Sequence, residues 1–224
     1  MTLPIHDVLE RRRLLPKVQL IDPGYTGAEL LVEARRRFGV ELFGPAREDS
    51  SWQAKTPGAF DVTCFAIDWD NQYVTCPRGA ASINWSPWRA ANGDQAIHVE
   101  FSKKDCTPCP ERSRCTRAAH EPRQLTLHER EAHHALTRAR RDQTTDGWKR
   151  SYAARAGVEG TISQAVRGFG IRAARYQGLA KAHLQHVLIA AAINLARVDD
   201  WLRGIPSAST RPNKLAALRQ AAAA

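Results

Sequence analysis

No apolar leader opens this chain of 224 residues: Met-Thr-Leu-Pro-Ile-His-Asp at positions 1–7 runs directly into Glu10 and the arginines at 11–13. The longest apolar run, residues 187–196, is interrupted by Asn194 and is too short to span a bilayer. These two absences set the expectation of a cytoplasmic protein without a membrane anchor. No repeat recurs at a solenoid period. Acidic side chains are scarce beside basic ones, 23 Asp and Glu against 33 Lys and Arg, for a formal charge of +10. That surplus points to a polyanionic partner. Nucleic acid comes before an acidic membrane, because no basic amphipathic anchor accompanies the charge. Even pairing of cysteines is also missing. Five cysteines in an intracellular chain read as metal ligands or buried thiols, not as a disulfide framework.

What is present falls into three stretches. Residues 6–14 read as a helix and 17–21 as a short buried strand, which ends at Asp22-Pro-Gly. Thr26 is placed to cap a helix over 27–38, Gly39 to stop it, and residues 40–43 to form the next strand. A strand–helix–strand crossover of this kind implies parallel pairing. Residues 44–124 then hold all five cysteines and most of the prolines and tryptophans, and read as a β-rich insertion. Within it, residues 64–76 form a hairpin turning at Asp70-Asn71, and 96–101 form another strand. From 125 the pattern is helical, with helices expected over 127–141 (capped by Thr126), 146–165 and 179–202. The expected division is 1–43, 44–124, 125–204 and a flexible tail over 205–224.

Three residues in the helical part suggest chemistry. Tyr152, Arg155 and Glu159 are spaced to share one helical face, within an arc of roughly 60°. A carboxylate flanked by a fixed cation and a phenol suits metal-dependent phosphoryl transfer, and Arg155 and Glu159 equally suit an ordinary surface ion pair. Asp22 follows a buried strand, so it lies where open α/β sheets bind ligands. It also suits an Asx turn. One carboxylate does not hold two divalent ions, so Asp22 and Glu159 matter as catalytic ligands together.

The thiols supply a second constellation. Cys106 and Cys109 form a C-x2-C knuckle, Cys115 follows, and Cys76 sits on the hairpin. Four thiolates of this kind are the donor set of a closed tetrahedral Zn²⁺ site, while Cys64 reads as a buried strand residue. Among the basic clusters, Arg167, Arg172, Arg175 and Lys181 are the candidates for DNA phosphates. Arg35, Arg36 and Arg37 read as a solvated helical face.

The Tyr-x-x-Arg-x-x-x-Glu pattern at 152–159 continues into Gly160-Thr-Ile-Ser-Gln-Ala-Val-Arg167 and Ala174-Arg-Tyr-Gln-Gly-Leu-Ala-Lys-Ala-His-Leu-Gln-His186. It resembles the C-terminal part of DDE transposases of bacterial insertion sequences. Leu20-Ile-Asp-Pro-Gly-Tyr25 resembles the segment around their second Asp. The resemblance implies an α/β, RNase H-like fold with a zinc-ribbon-like, β-rich insertion and a helical C-terminal part. It implies Asp22 and Glu159 as two of three acidic metal ligands for Mg²⁺ or Mn²⁺, with Tyr152 and Arg155 completing the Tyr-Arg-Glu motif. It further implies DNA ends and target as partners, a possible homodimer, and a bacterial, nucleoid-associated setting. Two departures stand out. The motif often carries a Lys seven positions after the Glu, where this chain has Val166 beside Arg167. The family's first Asp precedes the helix at 6–14. The expectation is therefore an RNase H-like core incomplete at its N-terminus, inactive alone, with a non-catalytic zinc-containing DNA-binding remnant as the alternative.

Overall fold

The computed structural model describes residues 2–89, 93 and 95–205, a mixed arrangement of helices and sheets. The tail expected over 205–224 lies outside the described residues from 206 onward. The chain divides into two compact units, Met1–Tyr152 and Ala153–Ala224.

The first unit opens with α1 (Thr2–Arg11), β1 (Val18–Leu20), α2 (Ala28–Phe38) and β2 (Glu41–Phe43). β1 and β2 pair in parallel, Val18 opposite Glu41 and Leu20 opposite Phe43, with α2 as the crossover. Gly39 ends α2 in the left-handed conformation at φ 65°, which costs glycine little and lets its N–H reach the carbonyls of Ala34 and Arg35. Ile21, Ala34, Val40 and Leu42 bury one face of this layer. The cap of α2 differs from expectation. Gly27 is the capping residue, and the Thr26 hydroxyl instead lies 2.9 Å from the Pro23 carbonyl and 2.7 Å from that of Pro45. The buried Thr26 thus ties two loops together instead of capping the helix.

A short α3 (Trp52–Lys55) leads to the hairpin of β3 (Ala66–Asp68) and β4 (Tyr73–Thr75). It turns at Asp70 and Asn71, because the Asp68 carboxylate accepts hydrogen bonds from the Asn71 side chain and from the backbone N–H of Asn71 and Asp70. These bonds, the Asn71 side-chain amide first, hold Asp68 below the usual carboxylate range. β5 (Ser82–Arg89), β6 (Gln95–Phe101) and β7 (Gln124–His128) form an antiparallel sheet in that order, with a bulge in β5 at Ser82 and Asn84. α4 (Lys103–Cys106) and α5 (Arg112–Cys115) lie between β6 and β7. The main core fills this part: Phe65, Val74, Val99, Phe101, Leu125 and Leu127 are all buried together. The expected helix over 127–141 starts later, as α6 (Arg130–Asp142). Leu125 and Leu127 alternate inward as strand residues and pair with Val99 and Ile97, so Thr126 is a strand residue and not a cap. α7 (Asp146–Ala153) closes the unit.

His133 on α6 packs against the rings of Trp69 and His134. Burial, then the charges of His134, His128 and Arg140, pushes its pKa down to about 4. The unfolded chain therefore binds this proton below about pH 6.5 while the folded chain refuses it until about pH 4. Stability falls as pH drops through that window. Allowing for solvent reaching the half-buried ring, the loss is about 2 kcal/mol. Urea unfolding at pH 7 and pH 4.5 should show it in the native chain, and His133→Gln should remove most of the difference.

The second unit pairs α8 (Ala156–Phe169) with α9 (Leu179–Leu202). Ala165 packs on Ile189 and Ile193, and Arg197 reaches Gln164 and Thr161, so the two helices run antiparallel. By length and composition α9 reaches the size of a membrane span, beyond what its short apolar run suggested. It carries Lys181, His183, His186, Arg197, Asp199 and Asp200, and its buried Ile189 and Ile193 pack on Ala165 of α8.

Candidate catalytic and nucleic-acid site

Asp22 stands at the carboxyl end of β1, exposed, with extended backbone at φ −79° and ψ 158° at the start of a short 3₁₀ turn over Pro23–Tyr25. The strand ends beside it are braced closely. Ile21 N–H donates to the Phe43 carbonyl at 3.0 Å. Gly44 follows β2 so near Ile21 that a Cβ there would lie 2.3 Å from the Ile21 carbonyl oxygen. Tyr152, on α7, donates its hydroxyl to the same Ile21 carbonyl at 3.2 Å. Its ring stacks on Trp148 at 4.9 Å and lies 6.3 Å from Phe43, which meets Trp148 at 5.1 Å. Phe43, Gly44 and Trp148 went unnoticed in the sequence. The signal for one of them was there: Trp148 and Tyr152 are four apart on one helix, so they share a face.

The three motif residues do not share one helix. The chain turns at Ala154 and Arg155, so Tyr152 ends the first unit on α7 while Glu159 sits in the first turn of α8. No glycine or proline marks this break. Within the second unit Arg155 and Glu159 form an ion pair at 3.0 Å, with the Glu159 side chain 68% exposed. Such a pair stabilises by about 0.3–0.5 kcal/mol, and the N-terminus of α8 favours the carboxylate's charge.

Arg167, Arg172, Arg175 and Lys181 are all exposed at the connection from α8 to α9. The antiparallel pairing gathers them at one end of the second unit. Buried Gln185 fixes their loop, donating to the Ala173 carbonyl and accepting from the Arg175 N–H at 2.8 and 3.1 Å. Glu159 lies at the other end of α8, eight residues or roughly 12 Å from Arg167 along the helix axis. The cations therefore form their own patch and do not surround Glu159 within its helix.

Four of the five thiols line one cavity of about 50 Å³: Cys76, Cys106, Cys109 and Cys115, beside Arg112 and Arg123. Burial pushes the Cys115 thiol up to about 11, against the pull of Arg123. Among the described residues, however, no three His, Cys, Asp or Glu side chains are grouped to hold a metal ion. Zinc at these thiols is thus not shown. Cys76, Cys106 and Cys115 pack against the apolar core. Cys64 is also corrected: it is exposed on a 3₁₀ turn, its thiol 3.7 Å from the Asp61 carboxylate.

A mixed α/β chain with a formal charge of +10 suits a polyanionic partner. The family model for the transposase DDE domain matches residues 75–198, more than half of the chain, and the chain belongs to that family. No curated protein and no solved structure gives a significant match. The matched stretch includes Tyr152, Arg155, Glu159 and the basic patch, and Asp22 lies ahead of it. Membership carries an RNase H-like fold, divalent-metal chemistry and action on DNA in transposition.

Proposed function

We propose that this chain is the DDE domain of a bacterial insertion-sequence transposase of the Tyr-Arg-Glu type. Its division into an RNase H-like segment carrying Asp22, a β-rich insertion and a helical catalytic-Glu segment is part of the proposal. In it, Asp22 and Glu159 act as ligands of Mg²⁺ or Mn²⁺, and Arg155 holds the Glu159 carboxylate in position. When bound, the metal supplies charge for in-line attack of water or a 3′-hydroxyl at phosphorus. The observation that carries the reading is the Tyr152 hydroxyl bond to the Ile21 carbonyl, which anchors the start of the motif one residue from Asp22.

Metal affinity tests it directly. Asp22→Asn and Glu159→Gln should each weaken Mn²⁺ binding by about tenfold, measured by electron paramagnetic resonance. If both hold one site, the double variant should lose little more than either single one. Fully additive losses, or no loss, would refute the shared site.

DNA binding gives a second expected result. Changing Arg167, Arg172 and Lys181 to Gln should weaken binding to a short duplex. It should also lower the slope of log affinity against log salt by about 2–3. Fluorescence anisotropy across a salt series reads both.

A further inference from the structure

A cleft of about 690 Å³ in the first unit opens between the β7 strand and α6. Its charged lining is Arg123, Arg140 and Arg141 against Asp49, with His128 and His133 beside them. Arg123 is the unusual member. Its Nε is buried and has no hydrogen-bond partner. Its guanidinium lies over the Phe65 ring at 5.7 Å. Burial lowers its pKa from the ordinary arginine value, against the opposing charges of Cys115, Asp49 and Asp61. Arginine stays charged in proteins, and a partly desolvated guanidinium whose buried Nε is left without an acceptor is costly unless an anion completes it. Arg140 is held in place by its Nε bond to the Arg47 carbonyl at 2.8 Å. Arg141 pairs with Asp142 at 2.9 Å with its side chain 75% exposed, at the rim. His128 pairs with Glu29 at 2.8 Å. Asp49 already accepts from the Ser51 N–H at 2.8 Å.

We propose that this cleft binds a phosphate group, with Arg123 deepest and Arg140 and Arg141 at its mouth. The phosphate belongs to a nucleic-acid backbone or to a free phosphate ester; both present the same oxygens to guanidinium forks. Only the choice of nucleic acid as the source rests on the transposase reading.

Pyrophosphate is the probe, titrated into the full chain at constant ionic strength. Binding should be saturable, with a raised melting temperature. Arg123→Gln and Arg140→Gln should each weaken it at least about tenfold. Arg141→Gln, at the exposed rim, should weaken it about threefold and keeps the test open if Arg123→Gln folds poorly. Competition between pyrophosphate and a short oligonucleotide assigns the phosphate to nucleic acid. Saturable binding that the oligonucleotide leaves unchanged assigns it to a free ester, and both results support the cleft. No saturable binding to the native chain, or equal affinity in the Arg140→Gln and Arg141→Gln variants, overturns it. DNA binding that persists in that case leaves the transposase reading standing.

Discussion

Gly44→Ala is expected to destabilise the first unit by about 3 kcal/mol, the upper range for a small-to-large change that must move backbone. The new Cβ would sit 2.3 Å from the Ile21 carbonyl oxygen and 2.8 Å from its Cγ1. Neither a rotamer change nor a flexible side-chain end relieves a clash with a carbonyl. The end of β1 must therefore shift away from β2. That shift strains the Ile21–Phe43 backbone bond and the Tyr152–Ile21 bond together, and Asp22 is the next residue. The effect should thus appear twice, as a lower urea midpoint and as weaker Mn²⁺ binding. Gly24→Ala is the control. It lies next but one to Asp22 in sequence, yet its Cβ would meet nothing within 4 Å, so it should cost under about 0.5 kcal/mol. Equal behaviour of the two variants would remove the packing argument.

The second large effect is expected at Arg112. Its Nη1 donates to the Cys106 carbonyl at 3.2 Å, and its Nη2 is shared among the carbonyls of Ala118, Ala119 and Glu121 at 2.8, 3.2 and 2.9 Å. One guanidinium thus supplies the donors for a loop that otherwise has little regular structure between α5 and β7. Arg112→Ala should cost about 2–3 kcal/mol: charged donors to carbonyls are individually worth about 1.5–3 kcal/mol, but these share protons and are partly wet. Trypsin should then cut after Arg117 well before it cuts the native chain. Arg112→Lys should recover only part, because an ammonium does not fork towards both sides of the loop. Unchanged cleavage at Arg117 in Arg112→Ala would show that the loop is held by other contacts.

Much of the architecture was readable in advance where local periodicity and stop signals agree. α9 begins and ends as its apolar pattern predicts, at Leu179 and Leu202. The parallel pair around α2 follows from Gly39 and the two short apolar strands, and the β3–β4 turn follows from Asp70-Asn71. The failures share a different cause. Residues 124–128 have usable helical composition, but β6 offers them a partner edge, and cross-strand pairing outweighs propensity. The turn at Ala154 and Arg155 has no sequence mark at all, so the stretch read as one helix is two. Asp22 was legible because a strand and a Pro-Gly turn bracket it. Of the residues that brace it, Gly44 and Phe43 were not, since each acts through a neighbour distant in sequence, while Trp148 was marked only by its spacing of four from Tyr152.

β5 is an outer strand of its sheet, with Pro87 in its length and a bulge at Ser82 and Asn84. Proline gives no N–H, and strands tolerate it with the nitrogen turned to the open side. The bulge also breaks the even spacing of backbone donors and acceptors on that side. A second chain arriving there finds no regular row to bond, although Ile83 and Trp88 are exposed and attractive to it. The same irregularities that make β5 a poor strand thus act as protection against fibrous stacking of this protein at high concentration. Pro87→Val should show their value as faster thioflavin-positive aggregation at unchanged native stability.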